Sequence, residues 1–157
     1  MRGLHAIVCR LTLNESHAIH DRVDRLRANE DPYLIRKLET GWVVASDKPL
    51  VQGHCIFFAD PVVFSVNDLD EETRMKYWRD VCRIGDALIE VTGSYRINYE
   101  TLCNVAQSLH SHILPRQMSE PEAKRRDRAA IAYAETDLSA LAAEPLIAAL
   151  KRPLSKF

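Results

Sequence analysis

The chain has 157 residues, of which 46% are apolar and 27% charged, an ordinary composition for a soluble globular protein and a length typical of one domain with a sizeable core. Its formal net charge of −1 supplies no bulk attraction for nucleic acid or a membrane surface. No apolar run approaches the roughly 20 residues that cross a bilayer.

The first twenty residues, MRGLHAIVCRLTLNESHAIH, carry no long apolar run or cleavage pattern, so no secretory leader is expected. Residues 16–28 place Ile19, Val23 and Leu26 at helical spacing, with Ser16 as the N-cap. Asn29-Glu30-Asp31-Pro32 ends that helix. Residues 33–38 read as a short helix or a bend. Trp42 to Ala45 and His54 to Ala59 read as strands of a hairpin, joined by a loop with Pro49 and Gly53. Asp68, with Glu71 three residues later, marks a helix start. Tyr77, Val81, Ile84, Leu88 and Val91 then recur at helical spacing until Gly93.

Residues 95–102 and 108–114 follow as strands. The order β-β-α-β-β predicts an α+β fold, an antiparallel sheet with one long helix covering a face. Beyond it, Ser119-Glu120-Pro121-Glu122 is a second capping signature, residues 124–133 read as helical, and Glu144 to Lys151 as a short Ala/Leu helix. The helical C-terminal extension has enough apolar residues to pack on the domain or on a second subunit. Lys124, Arg125, Arg126 and Arg128 form a basic cluster, read as a solvated face. The division is a single domain over 1–157, with a core of about 33–118, an N-terminal helical segment 1–32 and the extension 119–157.

The segment Leu109-His110-Ser111-His112-Ile113-Leu114-Pro115-Arg116 carries the chemistry. On a strand, alternate side chains share a face about 6.6 Å apart, which sets Ser108, His110 and His112 together with room for a phosphoryl group. One histidine can act as a nucleophile, and its neighbour can stabilise charge or deliver a proton. His-x-His is also a common zinc pair. His5, His17, His20, His54 and the cysteines at 9, 55, 82 and 103 offer no metal-like spacing and no C-x-x-C, so no metal is expected. Scattered thiols without an export signal fit a cytoplasmic protein. Ser108 lacks a G-x-S-x-G elbow and an orienting acid, which disfavours a serine hydrolase.

The segment from Arg96 to Arg116, Arg-Ile-Asn-Tyr-Glu-Thr-Leu-Cys-Asn-Val-Ala-Gln-Ser-Leu-His-Ser-His-Ile-Leu-Pro-Arg, resembles the signature of the histidine triad superfamily. It is most similar to a bacterial branch reading I-N-Y-x-x-L-G-N-x-x-P-H-L-H-x-H-x-x-P-R. Gly41-Trp42-Val43-Val44-Ala45-Ser46-Asp47, Gly53-His54-Cys55 and Asp68-Leu69 extend the likeness over residues 33–135. The departures are Ser108 for the first triad histidine, Cys103 for a glycine, Gln107 for a proline, and Val62 where many members carry a histidine.

The resemblance implies a hydrolase or nucleotidyl transferase acting at the α-phosphate of a dinucleoside polyphosphate or nucleoside phosphoramidate. His110 would be the nucleophile and His112 a phosphate contact or acid. Asn98, Asn104 and Ser108 would lie on the phosphate side, and Asp47 at the ribose. Val43, Ile56 and Phe58 read as core that could wall a base pocket. No cofactor is required, although a divalent cation could accompany a polyphosphate substrate. The expected partners are a nucleotide substrate and a second copy in a homodimer, not nucleic acid or membrane. The altered Ser108, Cys103 and Gln107 leave open an impaired nucleotide-binding module of the same fold.

Overall fold

The computed structural model describes residues 18–134 and 142–157. Five strands form one antiparallel sheet of order β1-β2-β3-β5-β4. They are β1 Leu34–Lys37, β2 Gly41–Ala45, β3 Cys55–Ala59, β4 Arg96–Glu100 and β5 His110–Arg116. Residues 18–27 form α1, followed by α2 Glu71–Thr92, α3 Glu122–Arg126, α4 Ala129–Ala132 and α5 Glu144–Leu154. The α+β architecture expected from the sequence is present, with one strand more. Residues 33–38, read as a helix or bend, supply β1. Leu34 and Arg36 pair with Val44 and Val43 across a register shift, and such a short, bulged edge strand leaves little alternation to read.

Each face of the sheet has its own cover. Cys55, Phe57 and Ala59 of β3 and Ile113 of β5 share one core with Tyr77, Val81, Ile84 and Leu88 of α2. The α5 residues Ile147, Leu150 and Leu154 join that core beside β1 and α2, so this part of the C-terminal extension packs on its own domain. Gly93 ends α2 at φ +66°, a conformation that costs a glycine little. The helix starts two residues later than the sequence suggests. Asp70 caps it, accepting from the Thr73 amide at 2.9 Å. Asp68 instead closes a capping box with Ser65 around the 3-10 turn Val66–Asp68. Ser16 lies outside the described residues, as do His5, Cys9 and His17.

The opposite face carries His110, His112, Leu114 and Arg116. Ile19, Val23 and Leu26 of α1 cover it at one side, packed on Val44, Ile56 and Phe58. At the other side Ala129 of α4 packs on Leu114 and Val51. Arg116, 1% exposed, ties the chain beyond β5 to this face. Its guanidinium holds the Glu120 carboxylate at 2.8 Å, the Asn98 amide oxygen at 2.8 Å, and the carbonyls of Lys124 and Asp127 at 2.7 and 2.8 Å. The strip between α1 and α4 holds the histidines.

Candidate functional site

The register of β3, β5 and β4 assembles the site. Ile56 stands opposite His112 and Phe58 opposite His110, while Glu100 stands opposite His112 from the other side. Opposed residues of antiparallel strands project to one face. His54, just before β3, therefore joins the same face, and its Nε2 lies 2.9 Å from His112 Nδ1. The three rings form a row, with His54–His112 and His110–His112 centroids both 5.1 Å apart.

Backbone groups fix the proton on every ring. The Leu50 amide can only donate, and it lies 3.2 Å from His54 Nδ1. His54 therefore accepts there and carries its proton on Nε2, which it donates to His112 Nδ1. His112 in turn keeps its proton on Nε2. The Ser108 carbonyl can only accept, and it takes the His110 Nδ1 proton at 2.7 Å. His110 Nε2 is left with a free lone pair, as a nucleophile requires. On the far face, the Ser111 hydroxyl between the two histidines is buried and held by Tyr77 at 2.8 Å and Thr101 at 2.6 Å, which fixes β5 from behind.

Burial supports the neutral forms. His54 is pushed down to about 3 by burial and then by His112. His112 is pushed down to about 4 by burial and by His110, against the opposing charge of Glu100. Burial also lowers His110, partly offset by the Ser108 carbonyl. An unfolded histidine titrates near 6.5, so below that pH the unfolded chain binds protons that the native site refuses. Stability from these groups is complete above about pH 6.5 and lost as pH falls toward 4 and 3. Each histidine contributes a slope of about 1.4 kcal/mol per pH unit. Urea unfolding between pH 7 and 4.5 should show this decline, and His54→Gln should flatten it by about one proton. Equal slopes in the two proteins would contradict the buried neutral assignment.

The other site residues predicted from the sequence fall around this row. Ser108 is 2% exposed and contributes its carbonyl. Asn98 lies on the histidine face of β4, two pairs from His112, with its amide oxygen held by Arg116 at 2.8 Å. Asn104 is exposed and lines a cleft of about 280 Å³ with Cys103 and Gln107. Asp47 is exposed in the β2–β3 loop and accepts from Arg22 of α1 at 3.4 Å. Of the three residues read as core or base-pocket wall, Ile56 and Phe58 lie under α1, whereas Val43 packs into the α2 core. Cys103, which stands where the resembling pattern has a glycine, adopts a left-handed backbone at φ +51°, a conformation that costs glycine little. Its thiol lies 3.6 Å from the His110 carbonyl. A non-glycine residue in that conformation carries a backbone cost of roughly 1–2 kcal/mol.

Three participants were not expected from the sequence. His54 lies 58 positions from its partner, and only strand register unites them. Arg22, midway along a helix read merely as amphipathic, lies over the Phe58 ring at 5.3 Å. Glu100 joins the site only through its register with His112 across β4 and β5. Cys55, Cys82 and Cys103 are free thiols. Among the described residues no group of three or more His, Cys, Asp or Glu is arranged to hold a metal ion, and no helix is long and apolar enough to cross a membrane.

No protein-family model matches the sequence, and no curated protein does. Solved structures do match. The chain is similar to a histidine triad protein of Bradyrhizobium japonicum at 25% identity and TM-score 0.65, covering 81% of this chain and 93% of that one. A hypothetical histidine triad nucleotide-binding protein of Sulfolobus tokodaii shares the fold at 13% identity and TM-score 0.65, covering 85% and 91%. A zinc-bound histidine triad family protein of Mycobacterium smegmatis does so at 18% and 0.59, covering 84% and 94%.

Proposed function

Because this chain belongs to the histidine triad superfamily, we propose that it is a nucleotide hydrolase or nucleotidyl transferase. Its substrate would be a dinucleoside polyphosphate or a nucleoside phosphoramidate. The observation that carries this reading is the 2.7 Å contact from His110 Nδ1 to the Ser108 carbonyl. It leaves Nε2 free to attack the α-phosphorus in line. The bond from phosphorus to the leaving group breaks as the Nε2–P bond forms, and the leaving group departs with the electron pair. The Ser108 carbonyl then faces a cationic ring and stabilises it. His112 Nε2–H donates to a non-bridging oxygen. Water displaces His110 in a second step and releases the nucleotide. Since the support for His110 is a main-chain carbonyl, the loss of a histidine at 108 does not remove it.

The strained Cys103 favours a second reading, a nucleotide-binding module without turnover. Mass spectrometry after brief mixing with adenosine 5′-phosphoramidate and with diadenosine tetraphosphate separates the two. The enzyme reading expects an adenylyl group on His110. Nucleotide binding with no adduct and no product would leave the module.

We also read the chain as a homodimer. Met75, Trp78 and Ile89 of α2 and Tyr99 of β4 are large exposed hydrophobics, and those of α2 recur at helical spacing. A Trp78→Glu substitution should convert dimer to monomer in sedimentation velocity. A wild-type monomer at micromolar concentration would refute the assignment.

A further inference from the structure

The basic cluster of the C-terminal extension lines a cleft. Between β4 and the chain around α3 lies a cavity of about 720 Å³, walled by Arg96, Asn98 and Glu100 on one side and Arg125, Arg126 and Arg128 on the other. Glu100 is the link to the histidines, since its Cα lies about 5 Å from that of His112, as in any opposed antiparallel pair. Arg128 grips the Glu100 carboxylate through Nη2 at 2.8 Å and Nε at 3.4 Å, with half of its side chain exposed. Arg126 pairs with Glu122. Among the described residues neither Arg96 nor Arg125 has a carboxylate partner, and the buried Arg125 Nε has no hydrogen-bond partner at all. With Arg126 paired to Glu122, three further arginines, Arg96, Arg125 and Arg128, line the cleft against Glu100 and Asp127, an excess of positive charge in a chain whose net charge is −1.

The histidine row points the same way. His112 Nδ1 accepts from His54, so Nε2–H is the ring's single proton. A neutral imidazole donates a hydrogen bond but is a poor acid. An amine leaving group must gain a proton as it departs, whereas a polyphosphate departs as a stable anion and needs only cations around it.

We propose that the arginine-lined cleft between β4 and α3 is a polyphosphate subsite, in which Arg125 and Arg128 hold the leaving group of the substrate while Glu100 occupies Arg128 when the cleft is empty. The inference rests on the nucleotidyl-transfer reading for the leaving-group role, but not for binding of polyphosphate itself. Arg128 exchanges one set of carboxylate oxygens for phosphate oxygens of the same fork geometry. The Glu100–Arg128 pair is then a specificity determinant, and the preferred substrate is a nucleotide joined to a polyphosphate rather than to an amine.

Two measurements test this. Calorimetry with inorganic tripolyphosphate should show binding that weakens at least about tenfold in Arg125→Gln/Arg128→Gln and tightens in Glu100→Gln, which frees Arg128. Unchanged binding in the double variant, or none in the wild type, overturns the subsite. Steady-state kinetics should show that the double variant raises KM for diadenosine tetraphosphate about tenfold and leaves turnover of adenosine 5′-phosphoramidate within twofold. Equal losses on both substrates would mean that the arginines act structurally, and the proposal fails. If tripolyphosphate binding depends on the arginines while no adduct forms on His110, the subsite stands and the nucleotidyl-transfer reading falls.

Discussion

His110→Ala should abolish turnover, lowering kcat by on the order of 10⁴-fold or more, because no other group in the row has a free ring nitrogen aimed along the same line. His54 Nδ1 is occupied by the Leu50 amide and His112 Nδ1 by His54. Nucleotide affinity should change by less than tenfold, since the ring contributes chemistry more than contact area. Active-site titration separates the two quantities. If the alanine variant retains wild-type turnover, the covalent mechanism is wrong whatever the fold. His112→Ala should be milder, about 100-fold, because it removes one donor to the phosphate and leaves the nucleophile in place.

Arg116→Met should produce the largest loss of stability of any single change near the site. The side chain is almost fully enclosed and satisfies Glu120, Asn98 and two carbonyls. Methionine has the length but none of the donors, so a buried carboxylate and two carbonyls lose their partner together. Breaking such a pair from one side costs about 3–5 kcal/mol. For a chain of this size that corresponds to a fall in Tm of roughly 10 °C. Tyr133 also donates to Glu120 at 2.7 Å, so protease cleavage after residue 116 should quicken as the segment loosens. A decrease below about 1 kcal/mol would show that the arginine only fills space.

The parts of the molecule written in short range were legible before the structure. The α2 stripe from Tyr77 to Leu88, the hairpin of β2 and β3, and the placement of His110 and His112 on one face all follow from local periodicity. So does the chemistry of a histidine pair on a strand. The failures have a common physical origin. β1 is four residues long and bulged, so its alternation is broken where it should be read. The cap of α2 was misplaced because two acids two residues apart, Asp68 and Asp70, both make good caps, and Ser65 had already engaged the first. His54, Arg22 and Glu100 belong to the site through strand register and helix docking, which act between residues far apart in the chain. The basic cluster near 125 is a solvated face, as the sequence suggests, with no buried residue in α3; that β4 lies across from it is a matter of tertiary packing that nothing local reveals.

The Leu50 amide gives position 50 an unusual pattern of tolerance. Its side chain takes no part in orienting the rings; its main-chain N–H does, by assigning the His54 proton and through it the His112 proton. Nineteen of the twenty amino acids carry that group. Variation at this position can therefore run through size, charge and polarity without altering which nitrogen of His112 meets a phosphate. Proline alone would erase the donor, free His54 to take the other tautomer, and turn His112 around in its proton assignment while every histidine remained in the sequence.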